Sequence, residues 1–89
     1  MKITVDISMY PLDSNYVPPI KTFIRALRGC EGLEIVTNQL STQICGEFNA
    51  VTSALNHCMR ETMLSNRKVV FVTRYLNSDL DISVLPQID

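Results

Sequence analysis

The sequence predicts an α+β domain in which four antiparallel strands lie beneath two helices, and three observations carry that prediction. Two apolar stripes, Ile20-Phe23-Ile24-Leu27 and Val51-Ala54-Leu55-Cys58, recur at i, i+3, i+4 and i+7, the spacing of one face of a helix. Strand-like stretches stand before the first stripe, after the second, and twice between them. Right-handed crossovers then arrange the order βαββαβ as a sheet of strand order 4-1-3-2, with both helices on one face.

Each element has its own justification. Ile3, Val5, Ile7 and Met9 alternate with Thr4, Asp6, Ser8 and Tyr10, which makes the first strand, and Pro11 is expected to end its pairing because it lacks an N–H. Turn formers Asp13-Ser14-Asn15 fill a loop over 12–17, and Pro19 suits the first turn of a helix over about 19–29. Gly29 or Gly32 can end that helix. Leu33 to Asn38 forms a short second strand, and Gln39-Leu40 a tight connection.

The third strand, Ser41 to Phe48, turns Thr42, Ile44, Gly46 and Phe48 to one side and Ser41, Gln43, Cys45 and Glu47 to the other. Gly46 has two readings, a position too close to a helix or a ligand for a side chain, or a bulge. Asn49 is a candidate N-cap for the second helix, whose stripe Met59, Thr62 and Met63 widen until Ser65-Asn66 interrupts it. Lys68 to Leu76 is the last strand, centred on Val69-Val70-Phe71-Val72. The whole is a ferredoxin-like sandwich in which the first and third strands are central neighbours.

At 89 residues the chain makes a single domain over 1–89, and so small a domain buries only about 60% of its unfolded surface. Residues 77–89 carry Leu80, Ile82, Val84, Leu85 and Ile88 among Asp79, Asp81 and Pro86, too apolar for a free extension, so they are expected to pack along the domain or onto a neighbour. The charged fraction is 19% and the net charge −1, without a Lys/Arg cluster, which argues against nucleic acid as a partner. The three cysteines, Cys30, Cys45 and Cys58, lack metal or C-x-x-C spacing and fit reduced, mostly buried thiols. No apolar run resembles a signal peptide or membrane span, so the sequence points to a soluble, cytoplasmic protein with no membrane partner.

The sheet face turned away from the helices is the first place to look for function. Thr4, Asp6, Ser8 and Tyr10 share it with Gln43, Cys45 and Glu47 of the neighbouring strand, so Asp6 and Glu47 can be the charged members of a shallow polar site. Turn chemistry does not explain an aspartate in mid-strand, although an arginine from a second subunit would satisfy Asp6 structurally. Thr37, Asn38, Ser41 and Thr42 cluster at the hairpin, either to fix a small heteroaromatic ligand or to cap the turn. Tyr10 can stack on a ring or simply pack.

Catalytic constellations are weak. His57 and Cys58 are adjacent on a helix and face different ways, so they make no nucleophilic pair. Asp6 and Glu47 lack a nucleophile, metal triad or phosphate loop, and no metal or cofactor is predicted. The loop after the first strand has no arginine to bind an acyl phosphate, and the outer strand face lacks the aromatics of an RNA-binding sheet.

The segments Ser8-Met9-Tyr10-Pro11-Leu12, Pro18-Pro19-Ile20, Thr37-Asn38-Gln39-Leu40-Ser41-Thr42-Gln43 and Gly46-Glu47 together resemble the thiamine-binding YkoF-like family of ferredoxin-like proteins. The resemblance covers nearly all of the chain. It implies a non-catalytic protein that binds thiamine or its hydroxymethylpyrimidine moiety, with a role in salvage or transport of the vitamin precursor. Some members of that family carry two such domains, so a single-domain chain is expected to form a homodimer or homotetramer. Asp6, Ser8, Tyr10, Thr37, Asn38, Ser41, Thr42, Gln43 and Glu47 are the candidate ligand-binding residues. The competing readings are an ACT-like module that responds to an amino acid and a purely structural oligomer.

Overall fold

The computed structural model describes residues 1–65 and 68–88. Alternation along the first strand organises it. β1 (Lys2–Pro11) sends Ile3, Val5, Ile7 and Met9 into the core, each no more than 9% exposed. The other elements are α1 (Val17–Arg28), β2 (Glu34–Thr37), β3 (Thr42–Glu47), α2 (Phe48–Leu64) and β4 (Val69–Leu76). The sheet runs β2-β3-β1-β4 with every pair antiparallel, the predicted ferredoxin-like order, so β1 and β3 are central.

Both helices pack on the β1 core side. Phe23 and Leu27 of α1 meet Val51, Ala54, Leu55 and Cys58 of α2 over Ile44 of β3, in one cluster. Phe71 of β4 closes the cluster, its ring centroid 5.1 Å from that of Phe23. Deep burial of these side chains is the main favourable term for so small a domain.

Four expectations need correction. β1 does not stop short of Pro11: the residue pairs with Val69, and the Leu12 amide still donates to the Lys68 carbonyl at 2.9 Å. Antiparallel pairs alternate between bonded and unbonded, so the missing N–H of Pro11 faces away from β4. On that side β3 has already ended, since its pairing with β1 reaches only Ile7.

Asn49 is not the N-cap of α2. The chain passes from β3 into α2 without a loop, Glu47 occupying the cap position, and the Phe48 amide donates to the Met1 carbonyl instead of to a capping side chain. Phe48 consequently begins the helix and is exposed, although the strand alternation pointed it at the core. α1 starts at Val17, two residues earlier than expected, with Pro18 and Pro19 in its first turn and Gly29 at its C-cap. Asn66, expected to help interrupt α2, and Asp89 at the end of the tail lie outside the described residues.

Gly46 is explained by the helix layer. The pairing of β1 with β3 runs through Ile3↔Gly46 without a break, so no bulge is present. A Cβ there would lie 3.0 Å from Leu33 Cδ2, 3.1 Å from the Gly32 carbonyl and 3.2 Å from Val51 Cγ2. The small residue lets α2 and the turn before β2 close on the sheet.

Candidate functional site

The pleat that buries Val5 and Ile7 sends Asp6 to the opposite face, between Gln43 of β3 and Arg74 of β4, its register partners on either side. The two carboxylate oxygens are used differently. Oδ1 accepts from Ser41 Oγ at 2.5 Å and from Gln43 Nε2 at 3.3 Å. Among the described residues Oδ2 accepts from Arg74 alone, through Nε at 3.1 Å and the terminal nitrogen at 2.8 Å.

Partial burial by itself would raise the Asp6 pKa. The bonds from Ser41, Arg74 and Gln43, with the Arg74 charge, outweigh it and hold Asp6 below the ordinary value of 3.8. Asp6 is therefore an ionised acceptor near neutrality. Its side chain is 21% exposed, whereas that of Arg74 is 80% exposed and anchored only at its tip.

The tail crosses the same face. Thr4 Oγ1 donates to the Ser78 carbonyl at 2.8 Å and accepts from the Leu80 amide at 3.1 Å, while Cys45 Sγ donates to the Leu80 carbonyl at 3.1 Å. These bonds bury Thr4 and Cys45 under residues 78–80 and divide the open face in two. On one side a cavity of about 380 Å³ is lined by Thr4, Asp6, Gln43, Arg74, Leu76, Leu80 and Ile82, among others. On the other, a cavity of about 460 Å³ is rimmed by Glu34, Glu47, Asp79 and Asp81 with Lys2.

The structure thus separates the residues that the sequence grouped. Asp6 and Gln43 share the first cavity, while Glu47 lines the second and pairs with the Met1 amino group at 2.6 Å. Asp6 and Glu47 stand four register steps apart, about 13 Å along the sheet, too far to share a proton-transfer site.

Ser8, Thr37, Asn38, Ser41 and Thr42 border a third cavity of about 120 Å³ between the hairpin and α1. In that hairpin Asn38 Oδ1 accepts from the Leu40 and Ser41 amides, and the Thr37 and Thr42 hydroxyls bond each other at 3.1 Å. Asn38 therefore caps the turn. Ser41 links this cavity to the open face, since its hydroxyl donates to Asp6 and accepts from Gln43 at 2.9 Å. Tyr10 is exposed at the far end of β1, opposite Val70, and lines none of these cavities.

Sequence reasoning placed Thr4 on this face but missed Arg74 and the wall formed by Leu80 and Ile82. A signal for Arg74 existed: with Lys68 it is one of two charges in the strand expected beside Asp6, and it has the opposite sign. Among the described residues no group of three or more His, Cys, Asp or Glu side chains is placed to hold a metal, and no helix is long and apolar enough to cross a membrane.

No protein-family model matches the chain, and no curated protein does. Solved structures do. A Thermotoga maritima protein, proposed to act in thiamine biosynthesis or salvage, superposes with a TM-score of 0.80 at 17% identity, over 93% of this chain and 92% of that one. A Streptococcus pneumoniae protein gives 0.80 at 18% identity over 90% of each chain. A hypothetical protein of Methanocaldococcus jannascii gives 0.76 at 17% identity, over 92% of this chain and 89% of the other. At these identities the likeness establishes a shared small α+β fold.

Proposed function

We propose that the protein binds a small, flat nitrogen heterocycle, thiamine or its hydroxymethylpyrimidine moiety, in the 380 Å³ cavity, and does not transform it. The division of labour at Asp6 carries this reading. Ser41 and Gln43 hold the carboxylate through Oδ1, so Oδ2 can exchange Arg74 for a ligand donor without loss of the anchor. An exposed ion pair is worth only about 0–1 kcal/mol, so moving Arg74 aside is inexpensive.

An exocyclic amine or a protonated ring nitrogen is the matching donor, and a cationic ring gains further from the ionised carboxylate. Gln43 lines the same cavity and carries a side-chain carbonyl that can accept, and Leu76, Leu80 and Ile82 offer apolar cover for a ring face. The thiamine-related description of the T. maritima protein agrees with this reading.

The association state belongs to the same proposal. Tyr10, Val70 and Val72 form a half-exposed, uncharged strip at the other end of the open face, where a second copy can pack without burying a charge. Light scattering is expected to give the mass of a dimer or tetramer, and a Val72→Lys variant a lower mass. A monomeric wild type would remove this part of the proposal.

The test of the ligand is a titration of ligand-free protein with thiamine and with hydroxymethylpyrimidine, followed by amide NMR. Saturable shifts are expected at Asp6, Gln43 and Arg74. Asp6→Asn is expected to weaken binding about tenfold or more, the loss of one charge-assisted bond, while Arg74→Ala keeps or improves it by removing the competitor. Failure of both compounds to shift a folded protein, or a response to amino acids alone, overturns the reading.

A further inference from the structure

The cavity of about 380 Å³ is lined by one charge of each sign, and an uncharged ring would use only the negative one. Arg74 stands on β4 directly across from Asp6, and its mostly exposed side chain is held only where the guanidinium meets Oδ2, through Nε at 3.1 Å and Nη2 at 2.8 Å. A guanidinium carries five N–H donors in a flat fork. Two serve Asp6, and among the described residues the other three, those of Nη1 included, have no partner.

The two compartments of the open face also differ in sign. Glu34, Glu47, Asp79 and Asp81 rim the larger one with Lys2 as the single cation, so an anion is repelled there and drawn towards Arg74 instead.

We propose that the ligand of the Asp6 cavity is a phosphate monoester whose amine and phosphate sit on neighbouring positions of one ring, as in the monophosphate of hydroxymethylpyrimidine, and that Arg74 binds the phosphate. This inference rests on the reading of the cavity as a site for that ring.

A ring without an anion takes Oδ2 and leaves the guanidinium unpaired. A ligand with both groups exchanges one ion pair for a charge-assisted bond and a new ion pair. Its amine donates to Oδ2, while Arg74 turns on its flexible stem and forks onto two phosphate oxygens, which carry about −1.5 to −2 charges at neutral pH. Asp6 keeps its anchors from Ser41 and Gln43 through Oδ1. Because Oδ2 and the guanidinium start in contact, the amine and the phosphate must be close together on the ligand. The amino group and the hydroxymethyl arm of hydroxymethylpyrimidine occupy adjacent ring carbons, so esterifying that arm meets the spacing. Thiamine carries its esterifiable hydroxyl on the second ring, remote from the amine, and its phosphate does not.

Calorimetric titration of the full chain at neutral pH and fixed ionic strength tests the proposal, with hydroxymethylpyrimidine, its monophosphate, thiamine, thiamine monophosphate and inorganic phosphate as probes. Hydroxymethylpyrimidine monophosphate is expected to bind about tenfold or more tightly than the free alcohol, the gain of one charge-assisted contact, while thiamine monophosphate shows no such gain over thiamine. Arg74→Ala, shown to be folded by amide NMR, is expected to reverse the order, because Asp6 then repels the ester while the alcohol binds as well as before or better. Arg74→Lys, which keeps the charge and loses the fork, is expected to fall between the two. Equal or tighter binding of the alcohol by the wild type, or an ester preference that survives Arg74→Ala, overturns the role of Arg74 and leaves the ring reading in place. Inorganic phosphate that binds as tightly as the ester overturns it as well, since the ring then contributes nothing. If neither the alcohol nor its ester saturates the folded chain, the ring reading itself falls, and this inference with it.

Discussion

Asp6 shows how much a single side chain depends on partners in distant segments. Its anchor Ser41 and its counter-ion Arg74 are 35 and 68 residues away along the chain. A depressed carboxylate contributes stability that is present above its unfolded pKa and lost as pH falls through the folded one. Wild-type protein is therefore expected to lose thermal stability below the ordinary carboxylate value of 3.8, with a shallower acid limb in Asp6→Asn, as a melting series over pH would show. At neutral pH Asp6→Ala, which leaves Gln43 and Ser41 without their acceptor, is expected to cost about 1–3 kcal/mol in urea unfolding. Arg74→Ala should cost under about 1 kcal/mol, because its side chain is 80% exposed and the pair is screened. The sequence made the aspartate visible as a charge in mid-strand. Its partner was less so: Arg74 stood out only as a basic residue in the last strand, and which residue of that strand faces Asp6 is a matter of register between β1 and β4.

Elements were legible where periodicity runs long and blurred where one passes directly into another. The four strands and two helices stand in the predicted order, since apolar spacing of two and of three to four residues separates the two classes. The β3–α2 junction defeated the reading because Phe48 satisfies both patterns. The sequence cannot say that the Met1 carbonyl will accept the amide of Phe48. Gly46, two positions earlier, is where strand and helix press closest, and the backbone carbonyl of Gly32 is among the atoms a side chain would meet. Gly32 holds that turn with φ 77°, a conformation few other residues adopt, so the turn yields little. Gly46→Ala is expected to destabilise the fold by about 1–3 kcal/mol, measured as a lower urea midpoint with unchanged slope. A more stable variant would show that Leu33 and the turn can give way.

For the whole molecule the decisive feature is the segment beyond β4. Its apolar composition raised the expectation that it packs; Ser78 and Leu80 bond to the open face while Val84, Leu85 and Ile88 stay exposed, and that destination was hidden because Thr4 and Cys45 look like ordinary outward strand residues. Thr4→Val keeps the side-chain shape and removes both hydroxyl bonds. Hydrogen exchange at the Leu80 amide is expected to accelerate about tenfold, for roughly 1.4 kcal/mol of lost protection, while the β1 core amides keep theirs. Unchanged exchange at Leu80 would mean that the segment is held by its apolar contacts alone. Leu80 stands in the wall of both large cavities. On the proposed reading a compound with one ring would fit one compartment and leave the crossing intact, whereas one long enough to occupy both would first have to break the three bonds at Thr4 and Cys45. The same chain would then offer short occupants a shallow seat and long ones a continuous trough, and the crossing segment would report, by its own release, which of the two had arrived.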